Sequence, residues 1–320
     1  MRPVLFNLPL PLLGTFSIPS YGFMIMLGFL GGLWLALRRA KREKVNPDVI
    51  WDMWVYCLVA GIVGARLLYI IEHPGDFAGR FWDVFKIWEG GLSFYGGFIA
   101  AAVVNLVILR IRRVPVFKMY DLVAPSLILG LACGKVGCFL NGCCFGRESH
   151  VPWAVSFPAG TPIDAKGTIR PSPAFERQFL RQYTDEIART GDTFSREDFL
   201  RRLNQVALTT RCTDPVHPVQ LYEAGASLTI LGALLVFTRY RRRYGETTCL
   251  FGTLYPAARF GLEFFRDRHA VLLGLTSAHL LSSGAFLVFG VLFIVVRKHG
   301  RKVAPPSPRE TVAASGKARK

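Results

Sequence analysis

The sequence predicts an all-α polytopic membrane protein: seven transmembrane helices and a small extracytoplasmic cap, N-terminus outside and C-terminus cytoplasmic. Three observations carry this reading. Of the 320 residues, 51% are hydrophobic and 13% aromatic, which excludes disorder for most of the length. Mean hydropathy is +0.32 despite a formal net charge of +17, from 39 Lys+Arg against 22 Asp+Glu. Strongly basic soluble chains are polar and bind nucleic acid. A chain that is basic and apolar together carries its charge in the loops between spans.

A helix needs about 20 mostly apolar residues to cross the hydrocarbon. Seven stretches qualify, at about 18–37, 51–72, 92–109, 120–140, 219–238, 247–265 and 276–296. The sixth is short and carries Arg259 and Glu263, so hydropathy alone scores it weakly. Cations cluster in every second loop. They are Arg38 to Lys44, then Arg110, Arg112, Arg113 and Lys118, then Arg239 and Arg241 to Arg243, then Arg297, Lys298, Arg301 and Lys302. The intervening short loops hold few, which sets the orientation. The first span is not read as a cleaved signal peptide, because its cations follow the apolar stretch instead of preceding it. The chain therefore divides into 1–140 (spans one to four), 141–217 (the cap), 218–297 (spans five to seven) and 298–320, a basic tail with the composition of disorder.

The cap opens with Pro152, Pro158, Pro162, Pro171 and Pro173. Two amphipathic helices are expected after them, one over about Ala174–Thr190 and one following Ser195. There Asp198 stands three residues on as a capping-box variant, and Phe199, Leu203 and Val206 share a face. The cap either lies on the membrane surface or is a solvated excursion.

Ionisable groups inside spans are costly and usually functional. Tyr255, Arg259, Glu263 and Arg266 form one stripe on span six. They make either a structural ion pair or, with two arginines on one face, a phosphate-holding surface. Arg66, Tyr69 and His73 share a face of span two, where Arg66 is either a site group or a buried arginine satisfied by helix carbonyls and Glu72. The segment Trp88 to Gly97 has two glycine pairs, which suit a turned backbone lining a cavity or close helix packing. Lys135 stands inside the apolar run of span four, which ends Gly137-Cys138-Phe139-Leu140-Asn141-Gly142-Cys143-Cys144-Phe145-Gly146. The cysteine spacing is not C-x2-C and no His accompanies it, so no metal is expected. A disulfide among Cys143, Cys144 and Cys212 is one alternative. His217-Pro218-Val219-Gln220-Leu221-Tyr222-Glu223 opens span five with caps or site residues.

Taken in order, these segments resemble the prolipoprotein diacylglyceryl transferase family. The match comprises Tyr21-Gly22, Gly64-Ala65-Arg66-Leu67, the Gly90-Gly91 to Gly96-Gly97 loop, Gly134-Lys135 through Asn141-Gly142 to Gly146, His217 to Glu223, and Arg259 to Arg266. The resemblance implies transfer of a diacylglyceryl group from phosphatidylglycerol to the lipobox cysteine thiol of a prolipoprotein signal peptide, in the bacterial plasma membrane. A thioether forms and glycerol phosphate leaves. No cofactor and no nucleic acid is implied. By this likeness Tyr95, Arg259 and Glu263 are the catalytic candidates. Lys135, Tyr21, Asn141, Arg66, Arg266, His217 and Gly146 are the substrate-binding candidates. Arg259, Arg266 and Lys135 would hold the phosphate, Asn141 and Tyr21 would bind glycerol hydroxyls, and Glu263 would orient Arg259.

Four positions depart from the family pattern: Tyr95 replaces its His, Lys135 its Arg, Cys138 its Asn and Cys143 its Glu. A phenol is a poor base at neutral pH. Either a nearby Arg or Lys lowers its pKa, or another group such as His217 or Glu263 acts instead, or a thiol near several cations needs no strong base. The last is favoured, with Tyr95 as a hydrogen-bonding positioner. Two other readings stand beside this one. One is an enzyme on the same scaffold with another lipid donor or acceptor. The other is a lipid-binding or transport protein without chemistry.

Overall fold

A computed structural model of the chain describes residues 4–10, 14–77, 81–86, 90–162, 169–190, 195–266 and 274–303. Trp88, Glu89, Arg268 and the tail from residue 304 lie outside them.

Every expected span forms a helix. These are α1 (Ser20–Arg42), α2 (Pro47–Glu72), α4 (Phe94–Ile111), α5 (Val116–Asn141), α8 (Val219–Phe237), α9 (Glu246–Glu263) and α10 (Ser277–His299). Among the described residues, six of them are long and apolar enough to cross a membrane. The exception is α9, at 18 residues, with Pro256 inside it and Glu246, Arg259 and Glu263 on it. Between α2 and α4 lie a four-residue helix, α3 (Pro74–Phe77), and a turn of 3₁₀ helix, Phe81–Phe85. Helix starts follow local chemistry. Asn46 accepts from the Asp48 amide at 3.0 Å, and Pro47 takes the position where no amide partner is needed.

The all-α expectation misses two small antiparallel hairpins. β1 (Val4–Leu10) pairs with β2 (Gly14–Pro19), Leu10 opposite Gly14. β3 (Gly160–Pro162) pairs with β4 (Ile169–Pro171) in the cap. β3 and β4, three residues each, are too short for a period-two signal. β1 and β2, at seven and six, are long enough, and β2 alternates through Thr15, Phe16, Ser17 and Ile18. The cap helices are α6 (Pro173–Thr190) and α7 (Arg196–Thr209). Ser195 caps α7 by accepting from the Asp198 amide at 3.4 Å. Phe175, Tyr183, Phe199 and Leu203 form the buried core of this cap.

The chain divides into two compact units. The first comprises residues 1–31, 127–239 and 249–294; the second comprises 32–126, 240–248 and 295–320. In the second, α2 packs on α4 through small residues. A Cβ on Gly64 would stand 2.6 Å from the Gly96 carbonyl oxygen, and one on Gly97 would stand 2.8 Å from that of Gly61. Close backbone approach of this kind is how apolar helices associate where lipid removes the hydrophobic drive.

The same unit buries a polar knot. Asp121 is inaccessible and accepts from the Gly245 amide at 2.7 Å and from the Thr248 amide and hydroxyl at 2.8 Å. Arg241 pairs with Glu43 at 2.6 Å, and Arg39 donates to the Leu122 carbonyl at 3.0 Å. Two arginines expected only to orient the spans are thus tied into the packing. A buried carboxylate is tolerated because each lone pair finds a donor. Of the tail expected from residue 298, α10 extends to His299. The Val303 amide bonds the Arg242 carbonyl at 2.9 Å, and that of Tyr244 bonds Arg301.

Candidate functional site

The first unit brings Lys135, Arg259, Glu263 and Arg266 together around Glu223, which the sequence offered as either a helix cap or a site residue. The buried side of α8 runs Val219, Gln220, Glu223, Ala224, Ser227, Ile230, Leu234. This helical spacing turns Glu223 inward one turn after the helix starts. Its carboxylate pairs with the Lys135 ammonium from α5, with Arg259 Nη1 from α9 at 3.4 Å, and with Arg266 Nη2 at 2.8 Å. Glu263 is the second anion. It pairs with Arg259 at 2.6 Å, one turn earlier on α9, and lies 3.9 Å from Arg266 Nε.

Behind Glu263 stand two residues from the head of α10 that the sequence reading did not single out. Thr276 donates its hydroxyl to Glu263 at 3.0 Å, and His279 Nδ1 lies 3.2 Å from that hydroxyl. His279 is buried, with Phe260 and Phe264 against its ring. Glu263 is 1% exposed, so this shell fixes the carboxylate, and the carboxylate fixes Arg259. Three cations face two carboxylates here, which leaves one positive charge. A largely buried cluster with one excess cation suits a monoanionic phosphodiester.

The end of α5 explains the next feature. The Cys143 amide bonds the Cys138 carbonyl at 3.0 Å, the Gly142 amide bonds Phe139 at 3.2 Å, and Gly142 has φ +72°. This is a Schellman termination, which lays the second residue past the cap against the third from the helix end. The residues so paired are Cys143 and Cys138. Cys144 then turns back with φ +61°, and the three Sγ atoms lie within 4.8 Å of one another. All seven cysteines of the chain are free thiols. The partner that Cys143 and Cys144 meet is Cys138 and not Cys212. Linear spacing gives no hint of this, because the left-handed turns at Gly142 and Cys144 create it. Hydrogen bonds with the Cys138 and Cys143 thiols hold Cys144 below the ordinary thiol range, and the nearby charges of Lys135 and Arg266 add to this against the effect of burial. Gln220 donates to the Cys143 carbonyl at 2.7 Å. Asn141 hydrogen-bonds the Cys143 thiol, and Tyr21 of α1 lies over Gly137 in the same unit.

Gly146 and His217, both substrate-binding candidates, pack against each other in the first unit. A Cβ on Gly146 would stand 2.5 Å from the Phe265 carbonyl oxygen and 2.8 Å from His217 Cβ. The Gly146 amide donates to the His217 carbonyl at 2.9 Å. His217 is buried, its ring against Tyr222 and Phe265, with Nδ1 3.3 Å from the Tyr222 hydroxyl. Burial, and then Arg147, push its pKa below the ordinary histidine range. The folded protein therefore resists protonating His217, while the unfolded chain takes up that proton below pH about 6.5. Stability is lost as pH falls from there towards the folded pKa. His217→Gln is expected to flatten the fall of thermal midpoint between pH 7.5 and pH 5.5, measured in detergent micelles; an unchanged slope would remove His217 from the acid response.

Arg66 and Tyr95 belong to the second unit. The Arg66 guanidinium donates to the backbone of the loop before α4: Val84 at 2.9 Å, Gly90 at 2.8 Å, Gly91 at 3.0 Å and Asp83 at 2.5 Å. The carbonyls that satisfy it come from this loop and not from its own helix. Gly91 has φ +73°, and a Cβ there would meet Arg66 Nη1 at 2.6 Å. The two glycine pairs thus divide the two readings given to them, with Gly90-Gly91 turning the loop and Gly96-Gly97 packing helices. Tyr95, in the first turn of α4, is 67% exposed and stacks edge-on with Phe94.

Residues 5–296 match the family described as prolipoprotein diacylglyceryl transferase. Three relatives, each named phosphatidylglycerol–prolipoprotein diacylglyceryl transferase, illustrate the likeness. The one from Thermotoga maritima is 30% identical, covering 89% of this chain and 83% of its own. That from Burkholderia lata is 31% identical, covering 88% and 92%. That from a Nostoc species is 30% identical, covering 96% and 97%.

Proposed function

The chain belongs to the prolipoprotein diacylglyceryl transferase family, and from that premise we propose that it moves the diacylglyceryl group of phosphatidylglycerol onto the lipobox cysteine of prolipoproteins. The observation that carries this is the cluster of Lys135, Arg259 and Arg266 about Glu223 and Glu263, with its one uncompensated positive charge. The bond broken is carbon–oxygen, and the electron pair leaves with the phosphate oxygen of glycerol phosphate. Cations fixed before the reaction stabilise that departing anion without reorganising. Arg259 and Arg266 present planar donor forks, and Lys135 a point charge. Glu263, held by Thr276, keeps Arg259 in place. Asn141 and Tyr21 are read as partners of the glycerol hydroxyls.

Tyr95 is read as a hydrogen-bonding positioner and Arg66 as the clamp of the loop ahead of it. Tyr95→Phe is expected to lower transfer about tenfold while leaving folding unchanged, the scale of one lost neutral hydrogen bond; full activity would deny the hydroxyl any role. The membrane arrangement that accompanies this reading has seven spans, the outer N-terminus, the cytoplasmic C-terminus and residence in the bacterial inner membrane. Residues 141–217 form the outer cap and 298–320 the inner tail.

The deciding experiment is rescue of a transferase-depleted bacterium, read as lipidation of its lipoproteins, beside transfer from labelled phosphatidylglycerol to a lipobox peptide by purified protein. Absence of both rejects the reading. The departures at Tyr95, Lys135, Cys138 and Cys143 favour a divergent donor or acceptor preference. Replacing the labelled donor by lipids with other headgroups in the same assay reads that preference directly.

A further inference from the structure

The three thiols at the end of α5 are unused by the phosphate chemistry just described. Their Sγ atoms lie within 4.8 Å of one another. Four-coordinate zinc with Zn–S bonds of about 2.3 Å sets sulfurs roughly 3.8 Å apart, so closing on an ion asks for side-chain movement of about 1 Å. Backbone geometry already supplies the convergence: the Schellman turn at Gly142 pairs Cys143 with Cys138, and the left-handed Cys144 returns the third thiol. The surrounding groups resemble the outer shell of a metal site. Gln220 holds the Cys143 backbone, and Asn141 holds its thiol. An all-sulfur donor set selects thiophilic ions over magnesium or calcium. Three protein ligands leave the fourth tetrahedral position open, the arrangement of reactive and not structural zinc sites.

We propose that Cys138, Cys143 and Cys144 bind a thiophilic metal ion, zinc in the first instance, whose open position takes the acceptor cysteine of the prolipoprotein. The second half of this inference rests on the transferase reading; the first does not. The acceptor thiol gives its proton to water as its sulfur binds the ion. Its sulfur–carbon bond then forms at the glyceryl carbon while the carbon–oxygen bond breaks, and the phosphate oxygen leaves with the electron pair towards the cations. The product thioether is a neutral, weaker ligand and departs. Such a site generates thiolate without a strong protein base, which suits a chain that carries Tyr95 where its family carries His.

The test uses the full chain purified with reductant in detergent, stripped with a chelator and given zinc or cobalt. The expected results are about one tightly held ion per chain and thiolate-to-cobalt charge-transfer absorption in the near ultraviolet. Cys138→Ser, Cys143→Ser and Cys144→Ser should each weaken binding by at least about tenfold. Cys212→Ser, in the exposed cap, should not. Stripped protein should transfer diacylglyceryl to a lipobox peptide about tenfold more slowly or worse, with recovery on adding zinc. Equal metal binding by the triple Ser variant, or a disulfide among these cysteines in the purified protein, overturns the site. Metal binding with undiminished transfer by stripped protein overturns the acceptor role alone. Metal binding with no transfer in any form upholds the site and rejects the transferase reading.

Discussion

Glu223→Ala is expected to cost about 3–5 kcal/mol of stability, the range for removing one partner of a buried ion pair, and to abolish most transferase activity. Glu223 is 5% exposed and is the common partner of Lys135, Arg259 and Arg266. Without it, Lys135 loses its carboxylate partner, Arg259 and Arg266 keep only Glu263, and the mutual repulsion is relieved by opening the cluster. A lower thermal midpoint in micelles checks the stability. Glu223→Gln separates structure from function, because it keeps the shape and removes the charge. The resting carboxylate occupies the cations that a substrate phosphate would use, so it competes with that phosphate. Glu223→Gln should therefore bind phosphatidylglycerol more tightly and release glycerol phosphate more slowly. Initial rates should show KM and kcat falling together, with stronger inhibition by added glycerol phosphate. Unaltered KM and product inhibition in a folded Glu223→Gln protein would restrict Glu223 to a structural role.

Periodicity and end signals made the helices legible in the sequence. Ser195 with Asp198 and the i, i+4 pair Arg259–Glu263 act within one turn of chain, and the structure has each as a local contact. The hub was less legible. Glu223 stood in a recognisable segment, His217 to Glu223, but its partners come from α5 and α9. No local rule links residues 135, 223 and 259. Thr276 and His279 follow a short loop and look like an ordinary helix start. The thiol cluster was hidden for a different reason: ligand-spacing patterns assume regular backbone, and two left-handed residues in a three-residue stretch break that assumption. Arg66 was half legible. Its burial and need for carbonyls followed from its place on α2, but which loop supplies them depends on the positive-φ turn at Gly90 and Gly91.

Arg259→Ala is expected to lower kcat/KM by about 10²–10³-fold, the effect of deleting one preorganised donor from a developing anion. The same substitution takes from Glu263 its ion-pair partner at 2.6 Å, while the Thr276 hydroxyl and Arg266, at 3.9 Å, stay beside it. A loss of activity alone would therefore not separate phosphate binding from collapse of the carboxylate's setting. The double-mutant cycle with Glu263→Gln does. If Arg259 serves chiefly to neutralise Glu263, the double variant removes both the charge and its reason, and stability and activity recover together. If Arg259 acts on the phosphate, stability recovers in the double variant, because no buried charge is left unpaired, while kcat/KM stays as low as in Arg259→Ala. Arg259→Lys discriminates further. It keeps the charge and the pairing with Glu263 but loses the fork that spans two oxygens. Its folding should match the parent protein, and its transfer rate should fall between those of parent and Arg259→Ala. Parental activity in Arg259→Lys would mean that charge at this position suffices and that the planar donor pair has no part in holding the leaving phosphate.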